Sequence, residues 1–171
     1  RTTFVVTFDP SALGVRSATI SINNSDTDEG VYNFNIQGTG VNALPEINVK
    51  GNNTTILNGD TFASTADDTN FGSQGVSSGA IVKTFTIENT GAAALNLNGS
   101  PRVVIGGTHA SDFTVSAQPA SPLTATNGIS SFQVTFDPSA TGTRRATISI
   151  DSDDNDEIPY TFAIQGTGTG S

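Results

Sequence analysis

The sequence contains no cysteine, no tryptophan and no methionine. Without cysteine, the chain has neither a disulfide framework nor a zinc site with cysteine ligands. Its single histidine, His109, excludes a metal site with two histidines in one chain. A Ser-His-Asp arrangement that recurs along the chain is excluded for the same reason, and we expect His109 to be an exposed loop residue.

Positive charge is also scarce, because seven Lys and Arg residues stand against 16 Asp and Glu residues, giving a net charge of −9. Phosphate binding needs clustered basic side chains, so we expect no nucleic-acid partner. No apolar run approaches the roughly 18 residues of a membrane span. The opening residues, RTTFVV, are typical of a strand and not of a signal peptide. We therefore expect no direct membrane insertion by this fragment, and any export signal or anchor outside it.

The chain does contain a long internal repeat. Residues 4–40 recur at 132–168 without a gap, 128 positions later, and 25 of the 37 aligned residues are identical. This period is far longer than the roughly 20–50 residues of solenoid repeats, so the repeating unit is a whole domain. We predict the last three strands of a preceding repeat in residues 1–41, a linker at 42–45, a complete repeat at 46–168 and the start of the next linker at 169–171.

Each copy of the repeated block alternates apolar and polar residues with a period of two. This alternation predicts half-buried antiparallel strands, joined in the second copy by a turn at Pro138 to Gly142. The predicted inward residues of the second copy are Phe132, Val134, Phe136, Ala146, Ile148, Ile150, Tyr160, Phe162 and Ile164. Those of the first copy are Phe4, Val6, Phe8, Ala18, Ile20, Ile22, Tyr32, Phe34 and Ile36.

Further short apolar segments lie between residues 46 and 116, separated by Gly, Asn and Pro. Seven to nine strands at a spacing of roughly ten residues predict an all-β fold, an antiparallel β-sandwich. The weakly patterned stretch 58–80 is expected to be a long connection that Phe62 and Phe71 attach to the sandwich.

Five segments, in order, resemble a known repeat: PEINV, TFTIENTG, SDFTV, FxVTFDPSAxGxRxATISI and PYTFAIQGTG. They are similar to the choice-of-anchor D repeat, which belongs to the immunoglobulin-like modules that include the ASH and HYDIN types. The resemblance covers residues 45–168 in full, and residues 4–40 match only the last third. It implies a seven-stranded immunoglobulin-like sandwich in large exported bacterial proteins, often anchored at the cell surface, without catalytic residues.

The strongest candidate site is an acidic loop. Five carboxylates within seven residues repel one another unless they are solvated or hold a cation, and calcium takes six to eight oxygen ligands. The candidate calcium ligands are Asp151, Asp153, Asp154, Asp156 and Glu157, with Asp26, Asp28 and Glu29 in the partial repeat. The alternative is a solvated acidic hairpin tip, which is the usual state of a charge run. A weaker candidate is the group Asp67, Asp68 and Asn70.

Arg16 and Arg144 occupy equivalent positions in the two copies. Either could bind a ligand, but a surface ion pair with a nearby acid such as Asp9 or Asp137 is the favoured interpretation, since such pairs are common.

The leading hypothesis is a non-catalytic stalk or spacer repeat of a long extracellular adhesin or cell-surface filament, with neighbouring repeats as its partners. The alternatives are a carbohydrate- or surface-binding module, or a fibre subunit completed by strands of another chain. Three strands in residues 1–41 leave an apolar face without its partner sheet, and such a face is an aggregation hazard. We expect preceding strands, or strands of another copy, to cover it. No cofactor is expected apart from the candidate calcium.

Overall fold

The computed structural model describes residues 1–170, so the last residue of the linker predicted at 169–171 lies outside the described residues. The chain forms two compact units. The first unit is Arg1–Asn42 and the second begins at Ala43. The first unit contains two antiparallel strands, β1 (Gly14–Asn23) and β2 (Val31–Gly40). Their register joins Gly14 to Gly40 and Asn23 to Val31.

The second unit contains nine strands in two sheets. They are β3 (Ile47–Gly51), β4 (Thr54–Ile56), β5 (Asn70–Gly75), β6 (Ile81–Asn89), β7 (Val103–Gly106), β8 (Phe113–Ala117), β9 (Gly128–Phe136), β10 (Gly142–Ile150) and β11 (Tyr160–Thr169). One sheet has the order β4-β3-β6-β9-β8 and the other β5-β11-β10-β7. A single 3₁₀ turn, Ala110–Asp112, precedes β8.

The second unit is an immunoglobulin-like β-sandwich, and its strand count falls within the predicted seven to nine. The second unit differs from the prediction in two respects. Strand β5 lies within the stretch 58–80, which was expected to be a connection. In addition, β5 runs parallel to β11, while the other strand pairs are antiparallel. A parallel pair needs a long crossover connection, which here includes the whole chain from β5 to β11. No helix within residues 1–170 is long and apolar enough to cross a membrane.

Alternating residues of both sheets meet in one apolar core. The ring of Phe85 in β6 lies 5.7 Å from that of Phe162 in β11, centroid to centroid, which joins the two sheets. Phe85 also stacks on Phe132 at 5.3 Å, and Phe113 stacks on Phe136 at 4.8 Å. Rings at these separations contribute about 0.5–1.5 kcal/mol per pair beyond the burial of their area. Contacts between aromatic rings therefore join the two sheets within a core whose other buried residues are aliphatic.

The predicted inward residues of the second copy are confirmed. All nine, from Phe132 to Ile164, are at most 4% exposed. Phe71 is buried as expected, but the prediction for Phe62 is wrong, because its side chain is 83% exposed. Phe62 lies in the irregular connection before β5, where its backbone N–H donates to Asp60 Oδ1 in a local turn at 2.8 Å. That turn leaves its ring facing solvent.

The predicted strand over residues 4–8 of the first copy is wrong, whereas the exposure of its apolar face agrees with the expectation that this face lacks a partner sheet. The equivalent residues 132–136 lie in β9, between β6 and β8, whereas residues 4–8 form no strand. Phe4, Val6 and Phe8 remain 51–59% exposed. The physical reason is that β6 and β8 both precede β9, and the first unit contains no counterpart of them.

The glycines of the repeated GTG segment make room for the preceding turn. Gly168 lies against the carbonyl oxygen of Ala140, and Gly166 lies against the ring of Phe136. In the first unit, a Cβ on Gly38 would lie 2.7 Å from the ring of Phe8, so both copies use the same close approach. These glycines are therefore packing positions, and neither copy places them before a helix as a phosphate-binding loop requires.

Replacing Gly168 by alanine tests this packing. The new Cβ would overlap the backbone of Ala140, so we expect the free energy of unfolding to fall by roughly 2 kcal/mol. Gly106→Ala is the matched control, because a Cβ there meets no atom within 4 Å. Urea unfolding of both variants measures the difference. Equal midpoints for the two variants would contradict the packing role.

Candidate functional site

The candidate site lies at the start of β3. Ile47 N donates to Asp154 Oδ2 at 2.8 Å, and Glu46 N donates to Asn89 Oδ1 at 3.2 Å. These two hydrogen bonds hold Glu46, the last residue before β3, beside the acidic loop between β10 and β11. Asp154 is 2% exposed, although a carboxylate is costly to bury.

Three carboxylates converge at this point. One oxygen each of Glu46, Asp154 and Asp156 lies within 4.8 Å of the others. Glu46 and Asp156 are exposed, yet partial desolvation of the Glu46 carboxylate raises its pKa, and the charges of Asp154 and Asp156 raise it further. Burial likewise raises the pKa of Asp154, with Asp156 adding to the effect. The cluster therefore gathers negative charge that no cationic side chain compensates among the ion pairs of residues 1–170.

Glu157 adds a fourth carboxyl group. Its Oε2 atom is buried and has no hydrogen-bond partner within residues 1–170. Burial raises the pKa of Glu157, and the charges of Asp154, Glu46 and Asp156 act in the same direction. An unpaired buried oxygen of this kind is costly for the folded state.

The structure separates the other predicted ligands from this cluster. Both carboxylate oxygens of Asp153 accept hydrogen bonds from Asn96, from its backbone N–H at 2.8 Å and from its side chain at 2.6 Å. Asp151 is exposed and outside the cluster. In the first unit Asp26, Asp28 and Glu29 are exposed, and Asp26 Oδ1 accepts a 3.4 Å hydrogen bond from Asp28 N.

The side chains of the weaker candidate group, Asp67, Asp68 and Asn70, form hydrogen bonds or an ion pair with other residues of the protein. Asp67 Oδ1 accepts from both the backbone and the hydroxyl of Thr69, at 3.1 and 2.6 Å. Asp68 forms an ion pair with Lys83 at 2.6 Å. Asn70 Oδ1 accepts from Gly72 N at 3.0 Å. Each side chain thus has a local structural partner.

Asn89 connects several loops at the same end of the sandwich. It is fully buried, and its Nδ2 donates to the carbonyl oxygens of Ala93, Leu123 and Thr124 at 2.7–3.3 Å. The sequence pattern assigned no site role to Asn89 or to Glu46, which occur only within the motifs TFTIENTG and PEINV. The sequence does show that Glu46 is an acidic residue directly before the β3 pattern. Nothing in the neighbouring sequence indicates that Glu46 meets the loop of Asp154, 108 positions later.

Arg144 has a different partner from the one predicted. It forms an ion pair with Asp112, which is 2% exposed, and not with Asp137. Asp112 Oδ1 also accepts from Ser139 N at 3.3 Å. Burial alone would raise the pKa of Asp112, but the hydrogen bonds from Arg144 and Ser139 outweigh it and hold the pKa below its usual value. The pair joins the 3₁₀ turn to the start of β10.

His109 has a structural contact as well. Its Nδ1 accepts a hydrogen bond from Arg145 N at 3.0 Å, and its backbone N–H donates to Arg145 O at 3.0 Å. His109 lies in a loop, as expected from the sequence, but it is half-buried and not exposed.

Asp112→Asn tests the buried ion pair. Removing one charge leaves Arg144 unpaired, so we expect a loss of about 3 kcal/mol in the free energy of unfolding at pH 7. Because the folded pKa of Asp112 is lowered, the pair's contribution is fully present above the unfolded pKa of about 3.9 and is lost as the pH falls through the folded value. The variant and the wild type should therefore converge as the pH falls below the lowered pKa of folded Asp112.

Asp137→Asn is the matched control, since Asp137 is exposed and should change stability by less than about 0.5 kcal/mol. Chemical unfolding at several pH values measures the loss in the free energy of unfolding for both variants. An equal loss for the two variants would contradict the assignment of Asp112 as the partner.

The calcium hypothesis stays a prediction, now with Glu46, Asp154 and Asp156 as the carboxylates that converge. If calcium binds there, a free concentration of 100 times its Kd stabilises the folded state by about 2.7 kcal/mol. Thermal melts with calcium and with chelator should then differ for the wild type and for Asp151→Asn, which changes an acid outside the cluster. Glu46→Gln should lose the difference. Identical melts with calcium and chelator would favour the solvated acidic tip.

Comparison with known proteins identifies the family of the second unit. The family described as HYDIN/CFA65/VesB-like, Ig-like domain matches residues 61–167. A search of curated proteins finds no match. Among solved structures, a protein of unknown function from Porphyromonas gingivalis W83 is 13% identical with a TM-score of 0.52, over 93% of this chain and 68% of that one. This likeness shows the fold alone.

Two further structures are similar in part. The VesB protease of Vibrio cholerae is 22% identical with a TM-score of 0.44, over 57% of this chain and 29% of the protease. The ASH / PapD-like domain 7 of human CEP192 is 16% identical with a TM-score of 0.37, over 58% of this chain and 82% of that domain. With its nine-stranded sandwich and the match over residues 61–167, the chain belongs to the HYDIN/CFA65/VesB-like family of immunoglobulin-like domains.

Proposed function

We propose that this chain is a non-catalytic structural repeat, a stalk or spacer, of a long extracellular adhesin or cell-surface filament. The observation that carries the proposal is that the hairpin β1–β2 recurs as β10–β11 with the same pairing of residues. Gly14 pairs with Gly40 in the first unit, and Gly142 pairs with Gly168 in the second, 128 positions later in each case. Repetition of a whole domain multiplies length without adding chemistry.

The short connection between the units supports the proposal. β2 ends at Gly40, and the carbonyl oxygen of Leu44 already accepts from Ala92 N at 2.9 Å within the second unit. Few residues remain between these two points, and Pro45 restricts the backbone that follows. A link of this kind has little slack and would pass tension from one unit to the next.

The position of β11 supports a load-bearing role. This last strand lies inside its sheet, paired with β10 over nine residue pairs and with β5 on its other side. At the opposite end of the unit, Asp154 and Asn89 hold the start of β3. A force applied to the two ends of the unit would therefore load two sets of hydrogen bonds together. These are the side-chain bonds at the start of β3 and the backbone bonds between β11 and its neighbouring strands.

The finer family assignment is also part of this proposal. The order of PEINV, TFTIENTG, SDFTV and the repeated block supports a choice-of-anchor D type of repeat within the wider family. Cell-surface attachment through an anchor outside this fragment, and neighbouring repeats as partners, follow from that type.

A fibre subunit is the second candidate function, because the apolar face of the first unit is uncovered. A carbohydrate-binding module has less support. Sugar binding on such sandwiches uses exposed aromatic rings, and Phe62 is the one exposed aromatic side chain among residues 43–170.

Immunogold labelling tests the proposed location and role. Antibodies raised against the full chain should label intact cells that produce the protein, with gold at or beyond the cell surface. The same cells after permeabilisation serve as the control. Labelling that appears only after permeabilisation would overturn the extracellular role, and strong binding of the chain on a glycan array would favour the carbohydrate-binding alternative.

A further inference from the structure

The edge strands β7 and β8 leave a groove between them at one margin of the second unit. β7 is the last strand of the four-stranded sheet, and β8 is the last strand of the five-stranded sheet. The groove has a volume of about 300 Å³, and its walls include Val103 and Ile105 of β7 and Phe113 and Val115 of β8. Ile105 and Val115 pack against the core but are only partly buried. The apolar core is therefore incompletely covered along this margin.

The outer edge of β8 offers backbone groups to a further strand. Asp137 N donates to Asp112 O at 2.9 Å, which sets the phase of the hydrogen bonds between β9 and β8. Because alternate residues of an antiparallel strand direct their backbone groups to opposite sides, those of Phe113 and Val115 are directed away from β9. The N–H of Phe113 donates to Ala110 O. The C=O of Phe113 and both backbone groups of Val115 thus face the open side of the sheet.

The outer edge of β7 is already occupied. Val103 N donates to Gln118 Oε1 at 2.9 Å, and Gln118 Nε2 donates to Val103 O at 3.1 Å. The side-chain amide takes the place of a neighbouring strand, and β7 is only four residues long. An added strand would therefore pair with β8 and direct alternate side chains over the groove towards β7.

This margin lies in the least acidic part of the chain. Only one of the 16 acidic residues, Asp112, lies within residues 89–136, and it pairs with Arg144. Arg102 Nη1 donates to Pro119 O at 3.2 Å, just beyond the end of β8, and Arg102 forms no salt bridge among the described residues 1–170. A protein with a net charge of −9 thus places a cation without an acidic partner at one end of an apolar groove. Charge complementarity favours a carboxylate there.

A second copy of the same edge does not supply this carboxylate. Antiparallel pairing of two β8 strands would bring Arg102 of each copy towards Asp112 of the other. Asp112 is 2% exposed and already paired with Arg144, so it is not free to bind a second arginine. The margin is therefore better matched to a different chain.

We propose that β7 and β8 form a docking site for an extended peptide segment of another protein, which adds to β8 as an antiparallel strand. Its alternate apolar side chains fill the groove against Ile105 and Val115, and an acidic residue at its N-terminal end pairs with Arg102. The N-terminal end meets Arg102 because an antiparallel strand begins where β8 ends. In strand addition of this kind, backbone hydrogen bonds give affinity and pockets for alternate side chains give specificity. The site adds a lateral binding activity to the proposed stalk role.

The test uses a short synthetic peptide, blocked at both ends, in which two aspartates precede alternating valine and threonine. On titration into the full chain, the amide resonance of Val115 should shift, and its hydrogen exchange should slow by more than about tenfold. The amide of Val49, in β3 near the other edge of the same sheet, is the internal control and should not change. Peptides with lysines in place of the aspartates, or with the aspartates at the C-terminal end, should bind several-fold more weakly.

Two variants test the two parts of the contact. Arg102→Gln should weaken binding of the aspartate peptide by about two- to fivefold and remove its advantage over the lysine peptide. Arg16→Gln is the matched control, since Arg16 is exposed, lies in the first unit and forms no salt bridge within residues 1–170. Val115→Pro removes an N–H on the open side of an edge strand and should abolish binding, with urea unfolding as the check of its fold.

Four results would overturn the proposal. They are no binding of the aspartate peptide at about 1 mM, equal binding of the aspartate and lysine peptides, unchanged binding by Arg102→Gln, and resonance shifts confined to residues 1–42. Self-association of the full chain with slow exchange at Val115 in the absence of peptide would also overturn it, because a second copy would then be the occupant. None of these results alters the labelling of intact cells, so failure of this proposal is distinct from failure of the proposed function.

Discussion

Contact between two apolar sheet faces is the interaction on which the rest of this structure depends. Phe85 of one sheet meets Phe162 of the other, and neighbouring rings stack around them. The chain contributes to this contact in two parts, residues 46–128 and the repeated block 132–168. Neither part has a core without the other, because a sheet with one apolar face must bury it against a second layer.

Polar contacts at the ends of the sandwich fix how these two parts meet. Asp154 of the repeated block holds the start of β3, and Arg144 of the same block holds Asp112 beside β8. Apolar packing is non-directional, whereas these hydrogen bonds have defined geometry and specify register. The same arrangement brings Asp154 and Asp156 to Glu46, so the acidic cluster is a consequence of how the two parts join.

The two units show one sequence block in two environments. With its partner segment present, the block forms strands with buried rings, and without it the same residues form a hairpin with an uncovered face. The contrast shows that burial of the block depends on the segment equivalent to residues 46–128, which packs against it in the second unit.

The sequence alone determined the three strands and the inward residues of the second copy and the class of fold. These features are local: period-two alternation sets which side chains share a face, and Gly142, with its φ of +98°, fixes a turn through its own backbone. The resemblance in five short segments also indicated the wider group of immunoglobulin-like modules to which the matched family belongs.

Tertiary structure alone decided which residues meet across the sandwich. Glu46 and Asp154 lie 108 positions apart, and Arg144 selects Asp112 over the nearer Asp137. Phe4 and Phe8 carry the same pattern as Phe132 and Phe136, yet only the latter pair is buried. Periodicity specifies the face on which a side chain lies, but burial and pairing depend on whether another segment covers that face.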